Sequence, residues 1–452
     1  MSTEIDTLGR FVAETRWEDI PEAVQAHAKL VFLDTLGVIL AGSVQPEVQA
    51  IRATLCANAG TGATVYAPGW PGSDPRQAAL LNGIAGRSIE LCEGHRYVSC
   101  QGAIQILPTV LALGEQCQRP GTDLLSALIL GYDTAVRIGA SATMRALAHQ
   151  NGQAAMLGAV AAGARLRGCN AEQTSRALRL GATLLLTPSY TNAVAGATVL
   201  NVAGGMSGFV GALAPELALA GFAAQEQAIE EAFSHLVGDG YNAQGMTDEL
   251  GQRWEIHRNH FRVRACCNPI YASLDALEEA LGELQPEAEA IERIDVETYR
   301  FAANMKHQEP PNTFAARYSL PHAAAATVLR GDVGYGSFTE AVLHDPQVVA
   351  LRRRVYVRED PGLSAHVPQL KPARVTLRLK DGRSCTRLCE SARGDFQRPY
   401  PEAEIRRKFH DLVGLILTSE GGQAVEAAVH QAEHWPSVQT LIDIMRQHSS
   451  LS

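Results

Sequence analysis

The residues between Leu180 and Pro215 include no Asp, Glu, Lys or Arg. A charge-free segment of this length has to be buried, either in a bilayer or in a protein core. A membrane-spanning helix needs about 20 consecutive apolar residues, and this segment is interrupted by Pro188, Asn192, Asn201 and several glycines. We therefore predict closely packed helices in the interior of a protein, and no membrane span.

Helical patterns of the same kind continue from the N-terminus to about residue 262. In each of them apolar residues cover most of the helix surface, as expected for buried helices. The clearest are residues 23–40, 124–138, 153–166 and 171–186, and the chain reads as helical again from residue 402 onward.

The pattern changes after about residue 265. Ile294 and Val296 alternate with polar residues, and so do Val375, Leu377 and Leu379, which is typical of half-buried strands. Asp-Gly at 381–382 predicts a tight hairpin turn directly after the second of these strands. Residues 320–329 and 338–353, between the strands, read as helices.

These patterns predict a mainly α protein, with a large all-helical domain and a smaller α+β domain. The length of 452 residues also favours two domains. We place the helical domain at residues 1–265 and 393–452, and the α+β domain at 266–392.

Charge and motifs exclude several classes of function. A net charge of −9 argues against nucleic acid as a partner. The nine cysteines include no CxxC pair, so we expect reduced thiols and no metal site. No glycine-rich turn of the dinucleotide-binding type is present, and we expect no cofactor. Because the first twenty residues lack the apolar core of a signal peptide, we expect a cytoplasmic protein.

A short loop near residue 90 concentrates the reactive side chains. It lies between two segments that read as buried, residues 78–89 and 103–113, which is how a reaction centre is often placed. The loop contains Glu90, Cys92, Glu93, His95, Arg96 and Tyr97.

Six segments, taken in order, resemble segments of a known family. They are AKLVFLDTLGVILAGS at 28–43, AALLNGIAGRSIEL at 78–91, ILPTVLALGEQ at 106–116, GYDTAVRIG at 131–139, RVRACCNPIYASLDAL at 262–277 and YSLPHAAAATVLRGDV at 318–333. In these segments the chain resembles the MmgE/PrpD family. That family includes 2-methylcitrate dehydratase, cis-aconitate decarboxylase and iminodisuccinate epimerase. The resemblance implies a helical domain, a smaller α+β domain and a homodimer. It also implies reactions at the carbon next to a carboxylate, without a cofactor.

The family's signature residues are only partly kept. Its acidic loop corresponds to Glu90, Cys92 and Glu93, and its His-Pro pair to Gln101-Gly102. The family's second histidine corresponds to His149. A lysine and a histidine of the uncharged region are replaced by Thr198 and Asn201, which suggests a substrate with fewer carboxylates than a tricarboxylate. At the domain junction, a lysine is replaced by Arg262 or Arg264, and a histidine by Tyr271.

Proton transfer at such a carbon needs an acid or base, and developing charge needs cations or hydrogen-bond donors. His149 is the first candidate for the acid or base. Glu93, His95 and Tyr271 are further catalytic candidates. For substrate binding we expect Glu90, Arg96, Gln101, Arg262 and Arg264. The side chains of Arg262 and Arg264 could both enter a cleft between the domains, or could both pair with acids on the surface.

Three hypotheses follow. The first is a lyase that dehydrates or decarboxylates a small carboxylate in a cleft between the domains. The second is an isomerase or epimerase that abstracts the same proton and returns it. The third is a homologue that binds a ligand without catalysis. Exchange of solvent deuterium into a carboxylate would separate the enzymes from the binding protein.

Overall fold

The computed structural model describes residues 3–57, 60–95, 97–98, 100–395 and 398–451. The protein is mainly α, with a larger helical part and a smaller α+β part, as the sequence predicts.

The α-helices begin and end close to the predicted residues in most cases. They are α1 (Glu4–Glu14), α2 (Glu22–Gly42), α3 (Pro46–Leu55), α4 (Pro75–Arg87), α5 (Gly102–Gln116), α6 (Gly121–Ala140), α7 (Ala154–Leu166), α8 (Ala171–Ala182), α9 (Thr191–Val194), α10 (Val199–Leu219), α11 (Ala228–Glu231), α12 (Tyr271–Leu284), α13 (Arg300–Ala303), α14 (Thr313–Ala316), α15 (Leu320–Arg330), α16 (Glu340–Leu343), α17 (Pro346–Arg352), α18 (Pro361–Ser364), α19 (Glu402–Val413), α20 (Ser419–His430) and α21 (Gln439–Gln447). The helix predicted at 338–353 is two helices, because Pro346 cannot continue α16 and begins α17 instead.

The strands fall into one larger sheet and three short pairs. They are β1 (Ala63–Thr64), β2 (Gly72–Ser73), β3 (Gly94–His95), β4 (Ala142–Met144), β5 (Gly238–Tyr241), β6 (Asn259–His260), β7 (Ile291–Thr298), β8 (Val355–Glu359), β9 (Ala373–Leu379) and β10 (Ser384–Cys389). The pairs β1–β2, β3–β6 and β4–β5 lie among the helices, which the sequence did not predict.

Glycine allows the interior helices to approach closely. α10 packs against α4, α5, α7 and α8. A Cβ atom on Gly83 of α4 would lie 2.7 Å from the Cα atom of Gly205 in α10, so only glycine fits there. The helical ends of the segment without charges, residues 180–182 and 200–215, are mostly buried, whereas residues 183–199 between them are mostly exposed or half-buried, so the predicted burial holds only in part. Two described helices, α2 and α10, have the length and composition of a membrane span, but most of each is buried against other helices, as in the core of a soluble protein.

The α+β part is a four-stranded sheet in the order β10-β9-β7-β8. β7 and β8 are parallel, whereas β9 is antiparallel to both of its neighbours. The predicted hairpin is present, with Gly382 at a φ of 90° in the turn between β9 and β10. Ile294 pairs with Leu377, so the apolar residues of both strands face the same side, where α12 packs.

The C-terminal helices return to the helical part. α19 packs along α2, and the ring of Phe409 lies where a side chain on Gly37 would clash with it. Next to it, the buried Lys408 donates hydrogen bonds to Asp34 and to the carbonyl of Leu91, each at 2.7 Å. The C-terminal segment therefore fixes the beginning of the reactive loop.

Candidate active site

A cavity of about 360 Å³ lies where the helical part meets the α+β part. One wall comes from the reactive loop and from the segments before α7 and α9. The other comes from the junction after β6 and from the α+β part. The polar, aromatic and thiol side chains that line the cavity include those of Glu90, His95, Gln101, His149, Tyr190, Arg262, Cys267, Phe301, Tyr318 and Lys371.

The reactive loop is tied to the domain junction by its backbone. β3 pairs with β6, so that Gly94 lies opposite His260. A Cβ atom on Gly94 would come within 2.8 Å of both the carbonyl oxygen of Cys100 and the ring of His260. Glycine is therefore required at this position, because the loop folds back tightly there.

Glu90 lies at the centre of a buried charge cluster. Its carboxylate is 2.6 Å from Arg87 and 2.7 Å from Arg262, and it accepts a hydrogen bond of 2.9 Å from Tyr318. Burial alone would raise the pKa of Glu90, but the two guanidinium groups outweigh it and hold the pKa below its usual range. Two cations meet one anion in this cluster, and the excess positive charge suits an anionic ligand.

His149 presents a neutral imidazole to the cavity. Its Nδ1 accepts a hydrogen bond of 3.2 Å from the backbone N–H of Asn151, which places the ring proton on Nε2. The ring stacks on Tyr190 at a centroid distance of 5.0 Å. Burial, reinforced by the charge of Arg87, lowers the pKa of His149 to about 3. His149 is therefore a hydrogen-bond donor towards the cavity and a weak base.

His95 also lines the cavity, but both of its ring nitrogens are engaged. Nδ1 accepts a hydrogen bond of 3.3 Å from the backbone of Val98, and Nε2 lies 3.2 Å from the carboxylate of Glu255. Burial lowers the pKa of His95, although Glu255 opposes this effect. His95 is held in a fixed orientation by these contacts.

Gln101 occupies the place of the family's His-Pro pair and lines the cavity. Its side-chain carbonyl is buried and has no hydrogen-bond partner among the described residues. A buried acceptor of this kind is costly unless a ligand or water supplies a donor. Gln101 can thus bind a hydroxyl or a protonated carboxyl group.

Comparison with known proteins shows the family of this chain. The MmgE/PrpD N-terminal domain model matches residues 6–241, and the MmgE/PrpD C-terminal domain model matches residues 265–434. The chain belongs to the MmgE/PrpD family. Its relatives include a cis-aconitate decarboxylase-like protein of Aspergillus oryzae, 23% identical over 97% of this chain and 96% of the relative. The cis-aconitate decarboxylase of Aspergillus terreus is 23% identical over 95% and 93%, and that of Homo sapiens is 22% identical over 96% and 89%.

In this MmgE/PrpD protein, Glu93 lies behind the cavity and does not line it. Its carboxylate accepts hydrogen bonds of 2.7 Å from the backbone of Ala103 and from Tyr132. Burial raises the pKa of Glu93 to about 7, against the effect of these hydrogen bonds. The side chain holds the first turn of α5 in place, which corrects our expectation that it meets the substrate directly.

Two other expected site residues also lie away from the cavity. Tyr271 is fully buried at the start of α12, and its hydroxyl donates to the carbonyl of Arg264. Arg264 pairs with Asp275 and Glu278, each at 2.7 Å. The prediction that Arg262 and Arg264 behave alike is wrong, because Arg262 lines the cavity whereas Arg264 is held by these two acids. The expectation for Arg96 lies outside the described residues.

Thr198 and Asn201, which stand where the family has a lysine and a histidine, are not among the cavity-lining residues either. Asn201 is buried within α10. The replacement of these two residues therefore does not determine the charge of this cavity.

Several residues that line the cavity or lie directly behind it escaped the sequence analysis. Tyr318 lies in one of the matching segments and could have been found there. Arg87 stands three residues before Glu90, at the spacing of a helical ion pair. Tyr190 and Lys371 come from loops distant in sequence, and nothing local marks them. Among the residues that the structure describes, no group of three or more His, Cys, Asp or Glu could hold a metal ion.

Proposed function

We propose that this protein is a cofactor-independent lyase that acts on a small carboxylate. It would remove water or CO2 by proton transfer at the carbon next to the carboxylate, in the cavity between the helical and α+β parts. Family membership supports a reaction of this class, and the relatives named above carry the name cis-aconitate decarboxylase.

One observation carries the proposal: the neutral imidazole of His149 lines the same cavity as the buried pair Arg262–Glu90. Loss of CO2 or of a proton next to a carboxylate leaves negative charge on the carboxylate oxygens. Fixed cations and hydrogen-bond donors lower the barrier to such a step. Arg262 supplies positive charge, and Nε2–H of His149 supplies a donor.

The position of Arg262 sets its role. It always carries a proton, so it binds and stabilises charge and is not a base. Glu90 holds its guanidinium in place, and Arg262 Nε is buried without a hydrogen-bond partner among the described residues. A substrate carboxylate can use this donor without displacing Glu90.

The test is turnover of a carboxylate panel in deuterated water, followed by NMR. The panel includes cis-aconitate, 2-methylcitrate and simpler mono- and dicarboxylates. A lyase releases CO2 or water, and a decarboxylation leaves deuterium at the carbon that lost CO2. Exchange without any loss of CO2 or water would instead support an isomerase, and no exchange with any member would support a binding protein.

His149→Phe keeps the stacking on Tyr190 and removes the donor. We expect kcat to fall about 100-fold or more. His344→Phe is the matched control, because His344 is an exposed histidine outside the cavity. Equal activity of the two variants would refute the role of His149.

The family resemblance also implies a homodimer, and the surface of α10 supports the dimer. Large apolar residues recur along it at spacings of three and four, and all are exposed or half-buried. This stripe comprises Val199, Val202, Met206, Phe209, Leu213 and Leu217. A second copy of the same helix would cover it by packing of the two stripes against each other.

A further inference from the structure

An apolar groove of about 520 Å³ adjoins the cavity and shares Tyr190 and Phe301 with it. Its described lining contains no Asp, Glu, Lys or Arg. Most of the groove is formed by Leu147, Val194, Ala195, Phe301, Met305 and Pro311.

A row of three aromatic rings in contact connects the groove to the cavity. His149 stacks on Tyr190 at 5.0 Å, and Phe301 packs edge-on against Tyr190 at 4.8 Å. The imidazole faces the charged cavity, and the phenyl ring lines the groove as well. The rings of Tyr190 and Phe301 thus border both the charged cavity and the groove.

We propose that the substrate of this enzyme is a carboxylate that bears an apolar substituent several carbon atoms long, and that the groove binds this substituent. This inference rests on the proposed function, because the carboxylate head has to occupy the cavity. The substituent would pass Phe301 and lie along Leu147 and the start of α9.

Exposure of the groove residues supports an apolar occupant. Leu147 is 66% exposed and Phe301 is 38% exposed, although both belong to a concave surface next to the cavity. Covering such side chains with hydrocarbon removes apolar area from water and is favourable. A compact polycarboxylate would leave the groove empty, and its charges would meet no Lys or Arg among the described groove residues.

The experiment measures the binding of a homologous series by calorimetry. The probes are succinate and its 2-methyl, 2-butyl, 2-hexyl and 2-octyl derivatives, which share one charged head. We expect 2-hexylsuccinate to bind about tenfold or more tightly than 2-methylsuccinate, because each buried methylene adds affinity. The gain should stop once the chain is longer than the groove.

Leu147→Asp places a charge in the groove without disturbing the core, since Leu147 is exposed. It should abolish the gain with chain length and leave succinate binding within about twofold of the wild type. Leu236→Asp is the matched control, because Leu236 is 63% exposed and does not line the groove. A variant of the head site, Arg262→Met, should weaken every member of the series.

The outcomes separate the two proposals. Equal affinity along the series, or an unchanged gain in Leu147→Asp, overturns the groove proposal and leaves the carboxylate site intact. A gain with chain length that is insensitive to Arg262→Met overturns the head site and, with it, the proposed function. Absence of binding by every member overturns both.

Discussion

The carboxylate of Glu90 lies 2.7 Å from the guanidinium of Arg262, and both groups are buried. The pair joins the reactive loop to the domain junction, which lies far away in the sequence. Arg87 contacts the same carboxylate from the opposite oxygen. This cluster therefore fixes both the geometry of the cavity and its positive charge.

Glu90→Gln should destabilise the protein, because two buried guanidinium groups would lose their counter-charge. We expect a loss of about 3 kcal/mol or more in the free energy of unfolding, measured by urea denaturation. Glu309→Gln removes an exposed partner of Arg353 and should cost less than about 1 kcal/mol. Similar losses in both variants would contradict the buried charge cluster.

The raised pKa of Glu93 should appear in the pH dependence of stability. Between about pH 4.5 and 7 the folded protein keeps a proton on Glu93 that the unfolded chain releases, so the free energy of unfolding falls as the pH rises. Glu93→Gln removes this contribution, which amounts to about 3 kcal/mol across the window. Stability measured from pH 4 to pH 8 for wild type, Glu93→Gln and the exposed control Glu420→Gln checks this. A parallel decline in wild type and Glu93→Gln would show that Glu93 is ionised throughout.

The lowered pKa of His149 acts in the opposite direction. Below about pH 6.5 the unfolded chain takes up a proton that the folded protein excludes down to about pH 3, so stability is lost as the pH falls. Between pH 6.5 and pH 4, the free energy of unfolding of His149→Phe should fall by about 3 kcal/mol less than that of the wild type. Other buried histidines contribute equally to both proteins, so the difference between the two free energies of unfolding at each pH reports on His149 alone. If the two curves stay parallel, His149 is not held neutral.

Tyr271→Phe tests the correction of the predicted site. The hydroxyl donates to the carbonyl of Arg264 and does not reach the cavity, so kcat and KM should stay within about twofold of the wild type. Loss of a buried hydrogen bond should still cost about 1 kcal/mol of stability. Tyr318→Phe is the comparison, because Tyr318 lines the cavity and donates to Glu90. It should change kcat/KM by about tenfold; an activity loss confined to Tyr271→Phe would reverse our assignment.

The stripe on α10 predicts the oligomeric state. The wild-type protein should elute with twice its chain mass of 48.4 kDa in light-scattering chromatography. Val202→Glu, in the exposed stripe, should weaken the dimer, because a buried charge without a partner is unfavourable. Val367→Glu is a control at another exposed valine. A wild-type monomer would refute the proposed interface.

Much of the fold could be predicted locally. The lack of charge in residues 180–215, the alternation around Val375 and the Asp-Gly turn all reflect constraints within a few residues of each other. Periodicity reports which face is buried, so the helical and α+β parts were both visible. The pairing of β3 with β6 could not be predicted, because two residues carry no pattern and the register depends on contacts between residues 94–95 and residues 259–260.

For the site, too, some features follow from the sequence and others only from the tertiary structure. The sequence by itself determined the family and singled out the reactive loop and His149 as candidates, since these depend on residue identity at matching positions. Tertiary structure decided that Arg262 enters the cavity while Arg264 does not, and that Tyr271 and Glu93 support neighbouring backbone instead. It also brought Tyr190 and Phe301 between a charged cavity and an apolar groove. The reason is physical: residue type sets what a side chain can do, whereas its partners and its exposure depend on segments that only folding brings together.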